Sequence, residues 1–153
     1  MKKKYLLLLL IIPVLFSGCN KEVEKTTICK KTLEYADTQI DWKNEIELKT
    51  ISDVVDDITI REIITVDPSV DKERVDSFRS KVQLECTGGI GEKFDSSELD
   101  EKDNVFTILL KTKKLDILDS AVSTTQEQGL DPSSDSKKVI EYLQSMNYTC
   151  EEA

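Results

Sequence analysis

The stretch "EIELKTISDVVDDITIREIITV", residues 45–66, holds two alternating runs on either side of a short polar break. In the first, Ile46 and Leu48 fall on one parity and Glu45, Glu47 and Lys49 on the other, the period of two expected of a strand with one buried face. In the second, Ile58, Ile60, Ile64 and Val66 share a parity that Glu62 interrupts, which predicts a bulge or a sheet end at that residue. Ser52-Asp53 supplies the link between the runs. Upstream, "TTICKKTLEY" (26–35) opens with β-branched residues. Three successive strands with short connections predict an antiparallel meander.

Downstream the period changes. Val75, Phe78, Val82 and Cys86 recur at i, i+3, i+7 and i+11 among polar residues, the stripe of an amphipathic helix. Asp67-Pro68 suits its N-cap and first turn. Thr87-Gly88-Gly89 suits its stop, through the left-handed conformation that glycine tolerates. "IGEKFDSSEL" (90–99) and "NVFTILLKT" (104–112) predict a second antiparallel pair joined by an acidic turn around Asp100 to Asn104, with Phe106, Ile108 and Leu110 facing the core. "KLDILDSAV" (114–122) fits either a short helix with Leu115, Leu118 and Val122 on one side or an extension of the sheet. "STTQEQGLDPSSDS" (123–136) reads as an exposed loop. "DSKKVIEYLQSM" (135–146) then aligns Val139, Ile140, Leu143 and Met146 as a final helix, and "NYTCEE" (147–152) ends the chain as a short strand. The order β-β-β-α-β-β-α-β predicts an α+β fold, an antiparallel sheet with two main helices packed on one face.

The N-terminus is of a different kind. Lys2, Lys3 and Lys4 precede an uncharged apolar run, Leu6 to Phe16, of about eleven residues, the length of a signal-peptide h-region. A membrane-spanning helix needs about twenty residues, and Pro13 removes a backbone donor within the run. Ser17-Gly18-Cys19 follows and resembles the lipobox of bacterial lipoproteins. That resemblance implies cleavage after Gly18 and a diacylglyceryl group on the Cys19 thiol. The alternative is an ordinary secretory signal with a chance cysteine. Two acyl chains anchor stably where one holds only marginally. The expected organisation is a signal peptide at 1–18, a lipidated N-terminus and short linker at 19–25, and one extracytoplasmic domain at 26–153, held at the cell membrane. Asn20 does not indicate which membrane, if the cell has two.

Loss of the three leader lysines takes the formal net charge from −9 to −12. Nucleic acid is therefore not expected as a partner, because phosphate binding gains from counterion release by a basic patch. Anionic headgroups would repel the domain as well, leaving the acyl chains on Cys19 to hold it at the bilayer. The lipobox cysteine, "TTICKKTLEY" at the start of the domain, a strand-helix-strand centre and "VIEYLQSMNYTC" at its end together resemble the small YehR-type bacterial lipoproteins. The molecular function of that family is unassigned, so the resemblance implies a fold and not a reaction. Cys86 is additional to the pattern.

The chain contains no histidine, which excludes a Ser-His-Asp site and removes the commonest transition-metal ligand. It also lacks G-x-S-x-G, a Walker loop and C-x-x-C. Glu45 and Glu47 lie about 7 Å apart on one strand face, a spacing open to paired-carboxylate chemistry, but the alternation puts them on the solvated side. Asp95, Glu98, Asp100, Glu101 and Asp103 offer oxygen ligands to a hard cation without EF-hand spacing, and an acidic hairpin loop is the plainer reading. "GGIG" (88–91) could cradle a phosphate, but a helix stop followed by a strand with a glycine kink accounts for it. Trp42 is either an exposed binding anchor or a half-buried rim residue. Outside the cytoplasm disulfides persist. Sequence alone leaves the connectivity open, but a Cys29 to Cys150 bond would fasten both ends of the fold if the first and last strands are neighbours. Cys86, on the apolar helix stripe, then stays free. No metal or cofactor is expected. These features point to a non-enzymatic module that binds or supports an envelope protein or polymer; the alternative is a carboxylate-dependent hydrolase acting on an envelope polymer.

Overall fold

The computed structural model describes residues 22–33, 39–122, 130–131, 133 and 135–153. Cys19, the N-terminal run read as a signal peptide and residues 123–129, 132 and 134 of the polar stretch lie outside the described residues. Six strands form one antiparallel sheet: β1 Glu24–Leu33, β2 Ile40–Ile51, β3 Val54–Val66, β4 Ser96–Lys102, β5 Val105–Thr112 and β6 Thr149–Glu152, in the order β4-β5-β3-β2-β1-β6. Three helices accompany them: α1 Lys72–Thr87, α2 Leu115–Val122 and α3 Ser136–Ser145. The fold is α+β, and the ambiguous stretch at 114–122 is helical. Among the described residues no helix is long and apolar enough to cross a membrane.

The meander forms because its links suit tight hairpins. Ser52 and Asp53 have φ of 50° and 68°, and Asp103 and Asn104 have 51° and 61°, the left-handed pairs that join strands with the native twist. The acidic turn is therefore narrower than expected: Asp100 and Glu101 belong to β4, and only Asp103 and Asn104 turn the chain.

Glu62 makes no bulge. It pairs in register with Asn44 and Ile108, and the irregularity in β2/β3 falls at Lys49/Thr50, opposite Asp57 and Val55. The extra residue, Asp56, reverses the parity of β3, which lets Val55 as well as Ile58 face inward.

Helix α1 begins later than Asp67-Pro68 suggested. Asp71 is its N-cap, accepting a hydrogen bond from Arg74 N at 3.0 Å, while Asp67 accepts from Ser69 N at 2.8 Å and closes a separate turn. The helix does end before the glycines, but not by a left-handed residue: Gly88 has φ −134°, and the N–H groups of Gly88 and Gly89 both reach Leu84 O, at 2.8 and 3.0 Å. Ile90–Lys93 is a 3-10 turn and not the start of a strand. Its glycine is required by proximity, since a Cβ on Gly91 would lie 1.8 Å from Cys86 O. This contact locks the turn to the end of α1.

The inner face carries Cys29, Ile46, Ile60 and Leu110 as one transverse row, each at most 1% exposed. Val82 and Cys86 of α1, Leu118 of α2, and Val139 and Leu143 of α3 complete the same core cluster, so the helices cover one face. Phe78 and Phe106 meet edge to face at 5.5 Å, which adds about 0.5–1.5 kcal/mol to their burial.

Candidate functional site

Two rows of the inner face set up the site. One runs Lys31-Asn44-Glu62-Ile108-Leu99 across the sheet, and its neighbour runs Leu33-Trp42-Ile64-Phe106-Glu101. Where α1 passes above them, a groove of about 360 Å³ remains between helix and sheet. Its apolar walls include Trp42, Ile64 and Ile108 from the strands and Phe78 and Val82 from α1, and its polar groups are Glu62, Lys81 and Glu85. Apolar walls with a few convergent polar groups are the usual make-up of a small-molecule site. A larger depression of about 990 Å³ lies where β6 stops opposite Lys30 and leaves the end of β1 uncovered, and it is lined by Lys30, Lys31 and Lys43. Its lining also includes Asn44, Glu45, Leu33 and Ile63, a more polar set than that of the groove.

Glu62 is half-buried on the inner face. Burial pushes its carboxyl above the ordinary range; the Trp42 indole N–H opposes this by favouring the charged form, and the Glu85 carboxylate adds to the rise. Burial likewise pushes the Tyr148 phenol up to about 12, with Glu62 and then Tyr142 contributing. Among the described residues no cation forms an ion pair with Glu62. Glu101, on the same face, is treated differently: Arg79 Nε and Nη2 donate to its two oxygens at 2.7 and 2.6 Å and hold its pKa below the carboxylate norm. Directly opposite Glu62 stands Asn44, 5% exposed, whose Oδ1 has no hydrogen-bond partner among the described residues.

The residues singled out from sequence are dispersed. Cys29 and Cys150 face each other in β1 and β6 and are joined as a disulfide, while Cys86 is free and buried. The Cys86 sulfur lies 2.9 Å from Ser97 Oγ, whose hydroxyl donates to Cys86 O at 2.7 Å. Glu45 and Glu47 sit on the outer face, engaged by Arg61 at 2.6 Å and Lys30 at 3.4 Å, and by Lys49 at 3.7 Å, respectively. The acidic residues 95–103 do not form a hairpin loop; most lie along β4, and among the described residues no three His, Cys, Asp or Glu side chains converge as a metal site. "GGIG" is used up by the end of α1 and the 3-10 turn. Trp42 is half-buried, with its ring in the groove. Alternation alone reads Glu62 as an interruption of its strand, although a lone carboxylate on a buried parity is itself a signal.

Comparison of the chain with protein-family models, with curated proteins and with solved structures finds no match.

Proposed function

We propose that the chain is a lipid-anchored extracytoplasmic binding module, held at the membrane by Cys19 and taking its ligand in the groove between α1 and the sheet. The observation that supports binding is the groove's make-up: one half-buried carboxylate beside the only tryptophan, within mainly apolar walls. The anchoring rests on the lipobox-like Ser17-Gly18-Cys19 behind an apolar run too short to span a bilayer. The likeness to YehR-type lipoproteins belongs to the same reading.

Glu62 and Glu85 share the groove, which favours one second reading, a carboxylate-dependent hydrolase in which Glu62, its pKa raised, serves as the acid. Binding is preferred because an envelope polymer cleft needs an array of polar groups along its walls, and these walls are largely apolar. Incubating isolated envelope polymer with the protein separates the two. No new chain ends are expected; release of fragments by the wild type but not by Glu62→Gln would establish the hydrolase. For the anchor, Cys19→Ala should abolish palmitate labelling and leave an unprocessed precursor. A Cys19→Ala chain still cut after Gly18 and retained in membranes would overturn it.

A further inference from the structure

We propose that the groove takes an organic ammonium ligand: a primary amine on a short apolar body, with its nitrogen at the Glu62 carboxylate and its body against Trp42 and Phe78. This rests on the groove's being the binding site. A carboxylate drawn out of water costs free energy unless a cation or a set of donors replaces the lost hydration. Arg79 does this for Glu101. Among the described residues no cation does it for Glu62, and the Trp42 indole N–H is a single neutral donor where Arg79 brings two N–H groups and a charge. An ammonium group supplies three N–H donors and the missing positive charge.

The charged and titratable groups around Glu62 agree with this choice. Trp42 faces it from β2, where Asn44 is its cross-strand partner, Glu85 and Lys81 line the groove from α1, and Tyr148 approaches from the segment before β6. Lys81 is exposed at the rim. Lys31 places its ammonium 5.4 Å from the centre of the Tyr148 ring and is occupied there. Trp42 and Phe78 present aromatic surface to a cation, a further attraction in a partly desolvated site. The strongly acidic chain raises the local concentration of cations. Because the carboxylate form binds, affinity falls as the pH drops and Glu62 takes up its proton.

The chain contains a single tryptophan, Trp42, so its fluorescence reports occupancy of the groove directly. Full-length protein in phosphatidylcholine vesicles is titrated with 2-phenylethylammonium, 2-phenylethanol and 3-phenylpropanoate, which share a body and differ in charge. The ammonium should bind at least about tenfold more tightly than the alcohol, and the carboxylate more weakly still. Glu62→Gln, with its fold checked by a cooperative melt, should remove that tenfold advantage and leave the alcohol unaffected. Glu85→Gln, at the rim, should weaken the ammonium by only about two- to threefold, as suits a solvent-screened charge. Equal affinity for ammonium and alcohol would overturn the ammonium proposal while leaving a binding groove. Absence of any change in Trp42 fluorescence with all three probes would overturn both the proposal and the assignment of the groove.

Discussion

At the scale of single residues, Glu62 is the expensive one. A carboxyl whose folded pKa is raised by burial holds its proton longer in the folded than in the unfolded chain. Its contribution to stability therefore falls as pH rises from its ordinary value of 4.5 through the raised folded value. Glu62→Gln removes that penalty, so the variant should melt higher than wild type at pH 7, with the gap closing below about pH 4.5. Thermal melts of both proteins across this window check it, and a variant less stable at pH 7 would mean that Glu62 has a stabilising partner when charged. Gly91 makes the opposite case. A methyl group there runs into the Cys86 carbonyl, a backbone atom at the end of a packed helix that cannot swing aside. Gly91→Ala should cost about 3 kcal/mol, the upper end of overpacking penalties, measured by urea unfolding. The need for this glycine was not legible in the sequence, where "GGIG" suggests backbone freedom and the actual constraint is a contact with a residue five positions earlier.

At the scale of elements, alternation located the long strands because their inner face is almost wholly apolar: Ile46, Leu48, Ile58 and Ile60 are no more than 1% exposed. The same rule misplaced the irregularity in β3. Glu62 breaks the apolar pattern without breaking the register, whereas Asp56, in a polar stretch where neither parity is marked, breaks the register without disturbing the pattern. The candidate site was hidden for the same reason, since a site built from one charge on a buried face resembles an error in a strand. The stretch 90–95 failed differently, because its short range of contacts with α1 outweighs strand propensity. Both sheet edges are poorly suited to pairing with another chain. Strand β4, "SSELDEK", is mostly charged or polar, and β6 is only four residues long and ends in Glu151 and Glu152. So short an edge strand needs its disulfide. With a sequence separation of 121 between its cysteines, the Cys29–Cys150 bond should stabilise by roughly 4–5 kcal/mol if its effect lies in the unfolded chain. The double variant Cys29→Ala/Cys150→Ala should lose about 2–5 kcal/mol in urea unfolding, and hydrogen exchange at 149–152 should accelerate before that of β2 and β3. Undiminished protection of β6 in that variant would show that strand pairing alone holds the edge.

At the scale of the whole molecule, the account joins a leader read from sequence, a disulfide that fastens the last strand to the first at one edge of the sheet, and a groove under α1. The disulfide and the leader make one physical story: a cross-link of this kind persists outside the cytoplasm, where the N-terminal run would deliver the chain. Intact-mass spectrometry of the protein recovered from membranes tests that story most directly. The account predicts a chain that begins at Cys19 and carries a diacylglyceryl group. It should be two hydrogens lighter than the fully reduced form and, once denatured, take one alkylating group at Cys86. A chain that still begins at Met1, or one cut near Gly18 but carrying no lipid, would contradict it.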